Sequence, residues 1–176
     1  MTRLLTKFIA ALLVTALLLL PANATLARKH SPVGGLVPGL GTTTVRIYLI
    51  AMGNGTVRPG TIGCGDRVVS VTRHIPATHT PLRAAILQLL ALQGWSTYGH
   101  IRLYSTLSRA NLSINWLAIA KGTATIAFTG RLNINGVCDS PRVRAQLRRT
   151  ALQFPTVHRV IITINGVPLS NVLSSR

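Results

Sequence analysis

Two carboxylates are the only acidic side chains in this chain of 176 residues, and each stands beside a cysteine. Asp66 lies two residues after Cys64, and Asp139 directly follows Cys138. A bridge between the cysteines would bring both carboxylates to one place. Carboxyl groups about 5 Å apart, or about 6.5–9.5 Å apart, are what glycoside hydrolysis requires. A wall-active hydrolase with Asp66 and Asp139 as its acids is therefore the catalytic reading to weigh. Against it stands a structural one. Asp139 precedes Ser140-Pro141 and would cap a helix there, while Asp66 would pair with one of many arginines. Helix capping already accounts for Asp139, so no catalytic residue is assigned.

No other constellation carries chemistry. Five histidines (His30, His74, His79, His100 and His158) are scattered without the spacing of a metal site. His74 and His79 flank Pro76 and are expected to share a loop, with a solvated pair as the default reading. A serine nucleophile would need G-x-S-x-G, which the chain lacks. No glycine-rich loop follows a strand and opens a helix, so nucleotide binding has no support. No cofactor and no enzymatic activity are expected.

The N-terminus bears on where the chain works. Arg3 and Lys7 precede an uncharged apolar run, Phe8 to Leu20, with Thr15 its one polar residue. Pro21 breaks the run, and Ala22-Asn23-Ala24 offers the small residues that a signal peptidase accepts. The run is short of the roughly 20 residues a bilayer-spanning helix needs. Residues 1–24 read as a signal peptide cleaved after Ala24, with Ala27 as second choice and an uncleaved anchor as the alternative. No cysteine lies near the cleavage site, so a lipid anchor is not indicated. An exported chain enters an oxidising compartment, where Cys64 and Cys138 read as one disulfide. Free thiols or a metal site are the rivals, but two cysteines with no C-x-x-C and no nearby histidine pair make a poor zinc site.

Removing 24 of the 176 residues leaves 152, enough for one domain with a core. That part keeps 17 of the 19 cations, 15 of them arginine, against two carboxylates, a formal charge of +15. Such a charge favours polyanionic partners, and arginine's planar fork suits phosphate or carboxylate. An Arg-rich surface that merely keeps an exported protein soluble is the plainer explanation, because the arginines form no tract.

The elements that would hold these residues follow from periodicity. Residues 25–42 are rich in glycine and proline and read as a flexible leader, and the domain spans 43–172. Residues 43–50 alternate Val45, Ile47 and Leu49 against polar neighbours, as a strand does. Residues 67–73 form a second strand. Thr80 and Pro81 open a helix that runs to about Gln93 with Leu82, Ala85, Ile86, Leu89, Leu90 and Leu92 on a broad apolar face. Residues 112–119 and 123–129 are strands joined by a tight Lys121-Gly122 turn, with Ala124, Ile126 and Phe128 inward. Ser140 and Pro141 cap a second helix to about Gln153, with Val143, Leu147, Ala151 and Phe154 at helical spacing. Arg142, Arg144, Arg148 and Arg149 take much of its remaining surface. Residues 157–164 are the last strand. The order is β-β-α-β-β-α-β, an α+β fold with two helices packed on one face of a mixed sheet and one disulfide.

Residues 95–111 have the weakest pattern, yet Trp95, Tyr98, His100, Arg102 and Tyr104 interleave aromatic and basic side chains. Such a stretch marks a nucleic-acid platform or a protein interface. Aromatics folded back on the core are the alternative. For a chain that leaves the cytoplasm, a protein or wall polymer is the expected partner ahead of nucleic acid.

Several segments in order resemble the GerMN domain, the module of sporulation and spore-germination proteins. They are Val45 to Leu49, Val69 to Leu92, Gly122 to Gly130, and Ala145 to Pro155 with Val157 to Leu169. Together they cover about residues 43 to 172. The resemblance implies a bacterial cell-envelope protein outside the membrane, acting by protein–protein contact in a fold similar to the ring-building modules of secretion machines. Three functions follow as expectations: an exported interaction module, a binder of anionic envelope polymer through the arginine face of the second helix, and, last, the hydrolase.

Overall fold

The structure, a computed structural model, describes residues 41–56, 59–92, 94 and 100–174, and the backbone alone of residues 95–98. The expected signal peptide and all but the end of the leader lie outside the described residues.

Strand β1 (Thr42–Ala51) and strand β2 (Arg67–Pro76) pair antiparallel along their whole length, from Thr42 opposite Pro76 to Ala51 opposite Arg67. The alternation of β1 buries Val45, Ile47 and Leu49. Helix α1 (Pro81–Leu90) places Pro81 at its first position, where its missing N–H leaves no bond unmade. Leu82, Ala85, Ile86 and Leu89 are its buried stripe. Thr80 holds the N-cap position, but its hydroxyl bonds to Thr78 and not to the helix.

The weakly patterned stretch folds as a hairpin of two four-residue strands, β3 (Trp95–Tyr98) and β4 (Ile101–Tyr104). Strands so short leave no periodicity to read. A 3-10 turn at Thr106–Arg109 leads into the longer hairpin, β5 (Asn111–Ala120) and β6 (Thr123–Arg131). Its two-residue turn has Lys121 and Gly122 at φ 47° and 75°, the left-handed pair whose twist matches the flanking strands. On β6, Ala124, Ile126 and Phe128 are buried as the alternation requires. Helix α2 (Asp139–Leu152) then crosses to β7 (Arg159–Ile164), which runs parallel to β6. Parallel neighbours need such a crossover. Asn165 and Gly166 turn the chain into β8 (Val167–Pro168), and α3 (Leu169–Ser174) follows.

The architecture is α+β, but the strands divide between two sheets, β2-β1-β4-β3 and β5-β6-β7-β8. The second is the mixed sheet that the sequence implies. One apolar core joins them. It takes in Ile47 and Leu49 of β1, Ile86 and Leu89 of α1, Leu147 of α2, and Ile126, Phe128 and Ile162 of the second sheet. The sheets stay separate because side chains of α2 occupy the edge of β1 that could have joined them. Gln153 accepts from Arg46 N and donates to Arg46 O, both at 2.6 Å. Thr150 Oγ1 accepts from Tyr48 N at 3.3 Å, and Gln146 Nε2 donates to Tyr48 O at 3.0 Å. Residues 146, 150 and 153 share a helix face, so three polar side chains mimic a neighbouring strand.

Candidate functional site

The two carboxylates do meet. Cys64 and Cys138 form the expected disulfide, with Cα atoms 5.8 Å apart and a sequence separation of 74. It ties the β1–β2 loop to the start of α2. Beside it, Arg142 Nε donates to Asp66 Oδ2 at 2.6 Å, and Arg142 Nη1 donates to Asp139 Oδ1 at 3.3 Å. The remaining carboxylate oxygens are also engaged. Asp66 Oδ1 accepts from Gly53 N at 2.8 Å, and Asp139 Oδ2 from Asn135 N at 2.9 Å. Asp66 is fully buried, and Asp139 and Arg142 nearly so. Burial opposes the charge on Arg142, but hydrogen bonding and attraction from Asp66, then from Asp139, outweigh it and raise its pKa above the ordinary arginine value.

Two expectations are corrected here. Arg142 is not part of the surface of α2; it is the buried cation between the two acids, because position 142 lies one turn beyond Asp139 and faces the β1–β2 loop. The helix also begins at Asp139, not at Pro141. Ser140 Oγ bonds to Leu173 O of α3 at 3.2 Å instead of capping α2. Asp139 does not cap the helix either: it lies in the first turn, where a carboxylate is favoured by the helix dipole, and accepts from Asn135 N ahead of it.

Chemically, this arrangement is a clamp. A general acid must reach the proton it delivers. Here both carboxylates are held by Arg142, and Asp66 is sealed from solvent. An open cleft of about 450 Å³ lies over the cluster, lined by Met52, Tyr104, Arg109 and Val137 and reaching Asp139 and Arg142 themselves, whereas Asp66 does not line it. The Asn135 amide, oriented by its bonding, accepts from Arg109 at the rim. Among the described residues, no three of His, Cys, Asp and Glu gather as a metal site.

The interleaved aromatic and basic residues occupy the β3–β4 hairpin. It joins the first sheet through one register pair, Ile50 with Tyr104. His100, Ile101 and Arg102 at its outer end are exposed, Ile101 at 53%. Tyr104 is turned into the domain and buried. The side chains of Trp95 and Tyr98 lie outside the described residues. The other three arginines of α2 are exposed, and Arg144 and Arg148 line a second cleft of about 320 Å³ with Ile161, Pro168 and Ser170.

Sequence reasoning missed the polar stripe of α2. Gln146 is fully buried, with its Oε1 accepting from Thr106 N at 2.9 Å. Its signal was present: positions 146, 150 and 153 recur at helical spacing beside the apolar stripe of Val143 and Leu147.

Residues 48–170 match the profile of a family described as Germane, sporulation and spore germination. Among solved structures, the chain resembles the tandem GerMN domains of the sporulation protein GerM from Bacillus subtilis. Identity is 17%, the TM-score 0.52, and the match covers 78% of this chain and 43% of that one. It also resembles the first GerMN domain of the same protein, at 20% identity and TM-score 0.51, over 72% of this chain and 85% of that one. The chain thus spans less than half the length of the tandem structure. These likenesses show the fold. No curated protein sequence matches the chain.

Proposed function

The chain belongs to the Germane family of sporulation and spore germination, and from that membership we propose that it is a non-enzymatic module of the bacterial cell envelope, exported by its N-terminal signal and acting through protein–protein contact. The observation that carries this reading is the β3–β4 hairpin. It projects from the first sheet on one register pair, and its outer end carries exposed His100, Ile101 and Arg102. An exposed apolar residue between a histidine and an arginine suits a protein surface with aromatic or acidic character. The two carboxylates support the non-enzymatic part, since their bonds to Arg142 account for them.

The test is retention of envelope proteins by the immobilised chain, intact and as a Trp95→Ala, Ile101→Ser, Arg102→Ser variant. A partner held by the first and released by the second, at equal helix content, supports the reading. Identical retention by both, or glycan-cleaving activity lost on Asp66→Asn, overturns it.

A second reading rests on the cleft that Arg144 and Arg148 share. Two guanidinium groups one helical turn apart suit an anionic polymer such as a phosphate-bearing wall glycan. Binding of that kind weakens steeply as salt rises, whereas the apolar contact that Ile101 makes in the hairpin would change little.

A further inference from the structure

Sheet edges attract foreign strands, and proteins blunt them with charge, proline, brevity or cover. β2 carries Arg67 and Arg73 and ends at Pro76. β3 is four residues long, and β8 is two and ends at Pro168. The part of β1 that β4 leaves unpaired is covered by Gln146, Thr150 and Gln153. Among the described residues, β5 has no comparable guard. It is the outer strand of its sheet, ten residues long, with neither a charge nor a proline, in a chain of formal charge +17. Its one irregularity, a register shift between Ile114 and Trp116, leaves residues 116–120 in regular pairing.

The open edge of β5 borders a cleft of about 230 Å³. Leu117, Ala118 and Ile119 form one wall, His79, Pro81, Leu82 and Arg83 at the start of α1 form the other, and Phe154 and Thr156 beyond α2 close it. Leu117 and Ile119 pair with the inward-facing Ile126 and Ala124, so their side chains share the face toward α1, and Ala118 between them borders the cleft with its backbone. A two-residue turn closes on a hydrogen-bonded pair, here Ala120 with Thr123, and the pattern alternates from there. Ala118 therefore directs its N–H and C=O toward β6, while Leu117 and Ile119 direct theirs to the open edge.

We propose that the β5 edge receives an extended, acidic segment of a partner protein by strand addition. Its backbone bonds to Leu117 and Ile119, its apolar side chains enter the cleft against α1, and its carboxylate meets Arg83 and His79, both exposed. A second copy of this chain is a poor occupant. Both of its acidic side chains are bound to Arg142. The inference rests on the interaction-module reading but uses a surface separate from the hairpin.

The probe is a fluorescent peptide of about eight residues alternating valine and threonine, long enough to add one strand, ending in two aspartates, compared with the same peptide ending in two lysines. Fluorescence anisotropy of the intact chain should saturate with the acidic peptide. Ile119→Pro removes only an outward N–H and should weaken binding about ten-fold or more. Ile119→Lys, which keeps the backbone, should do the same if the proline variant fails to fold. Arg83→Glu should reverse the preference to the lysine peptide. Equal binding by the Ile119 variants, a preference unmoved by Arg83→Glu, or no saturation at millimolar peptide overturns the proposal. So does a dimer in sedimentation that Ile119→Lys dissolves, which would make the edge a self-interface. Envelope partners still released by the hairpin variant, with no peptide binding, would leave the module reading standing and remove this one alone.

Discussion

Asp66→Asn keeps the shape of the buried cluster and removes half of its negative charge. In the folded chain, Asp66 accepts from Arg142 Nε at 2.6 Å and from Gly53 N at 2.8 Å while fully buried. At a charge separation of about 4 Å and an effective dielectric of about 20, the lost attraction is about 4 kcal/mol. Asparagine offers one acceptor oxygen where the carboxylate used two, so either Gly53 or Arg142 also loses a partner, which costs about 1–3 kcal/mol. Asp139 stays in contact with Arg142 and offsets part of this. The expected destabilisation is about 3–5 kcal/mol, the range for breaking a buried ion pair on one side. Urea unfolding followed by circular dichroism at pH 7, with the disulfide intact, measures it. With a denaturant slope of about 2 kcal/mol per molar, the midpoint should fall by about 2 M. The double variant Asp66→Leu, Arg142→Met removes this pair together, leaving Asp139 with its bond from Asn135 N, and should cost clearly less than the two single changes summed. A loss below about 1 kcal/mol, the scale of an exposed pair, or strict additivity in the cycle, would refute the account of the cluster as a clamp.

Replacing Cys64 and Cys138 by alanine releases a link across a sequence separation of 74; chain entropy puts the cost at about 4 kcal/mol, read as a lower melting temperature that reductant no longer changes. Gln146→Leu fits the volume but strands Thr106 N and Tyr48 O, and chemical denaturation should show a loss of about 2–4 kcal/mol; a neutral outcome would mean that water replaces the amide. Gly130→Ala sets a Cβ 1.9 Å from Asn111 O at φ 117°, so β5 and β6 must shift, and thermal unfolding should register about 2 kcal/mol or more.

Much of the fold was legible because its signals are local. Alternation along β1 and β6, helical spacing of Leu82, Ala85, Ile86 and Leu89, proline at the start of α1, and the Lys121-Gly122 turn are each set within a few residues. Chain order and spacing carried the family resemblance for the same reason. The β3–β4 hairpin was illegible, since four-residue strands show too few alternations to separate from loop. The site was legible only in outline. Composition pointed Asp66 to one of many arginines, and the two cysteines placed Asp139 near the same point, but its bond to an arginine was not foreseen.

Which arginine they share was a tertiary decision. Asp139 and Arg142 are neighbours on α2, but Asp66 comes from 76 residues away and arrives through the loop that the disulfide holds. The division into two sheets was decided the same way. Gln146, Thr150 and Gln153 are ordinary helix-surface residues until the helix lies on β1, where their amides and hydroxyl take the bonds that another strand would have made. The bare edge of β5 shares this dependence. Its lack of charge is written in the sequence, but an uncharged strand is buried or open according to its neighbours. Only the strand order places it outermost, because hydrogen-bond partners in a sheet are set by how distant segments pack and not by the segment itself.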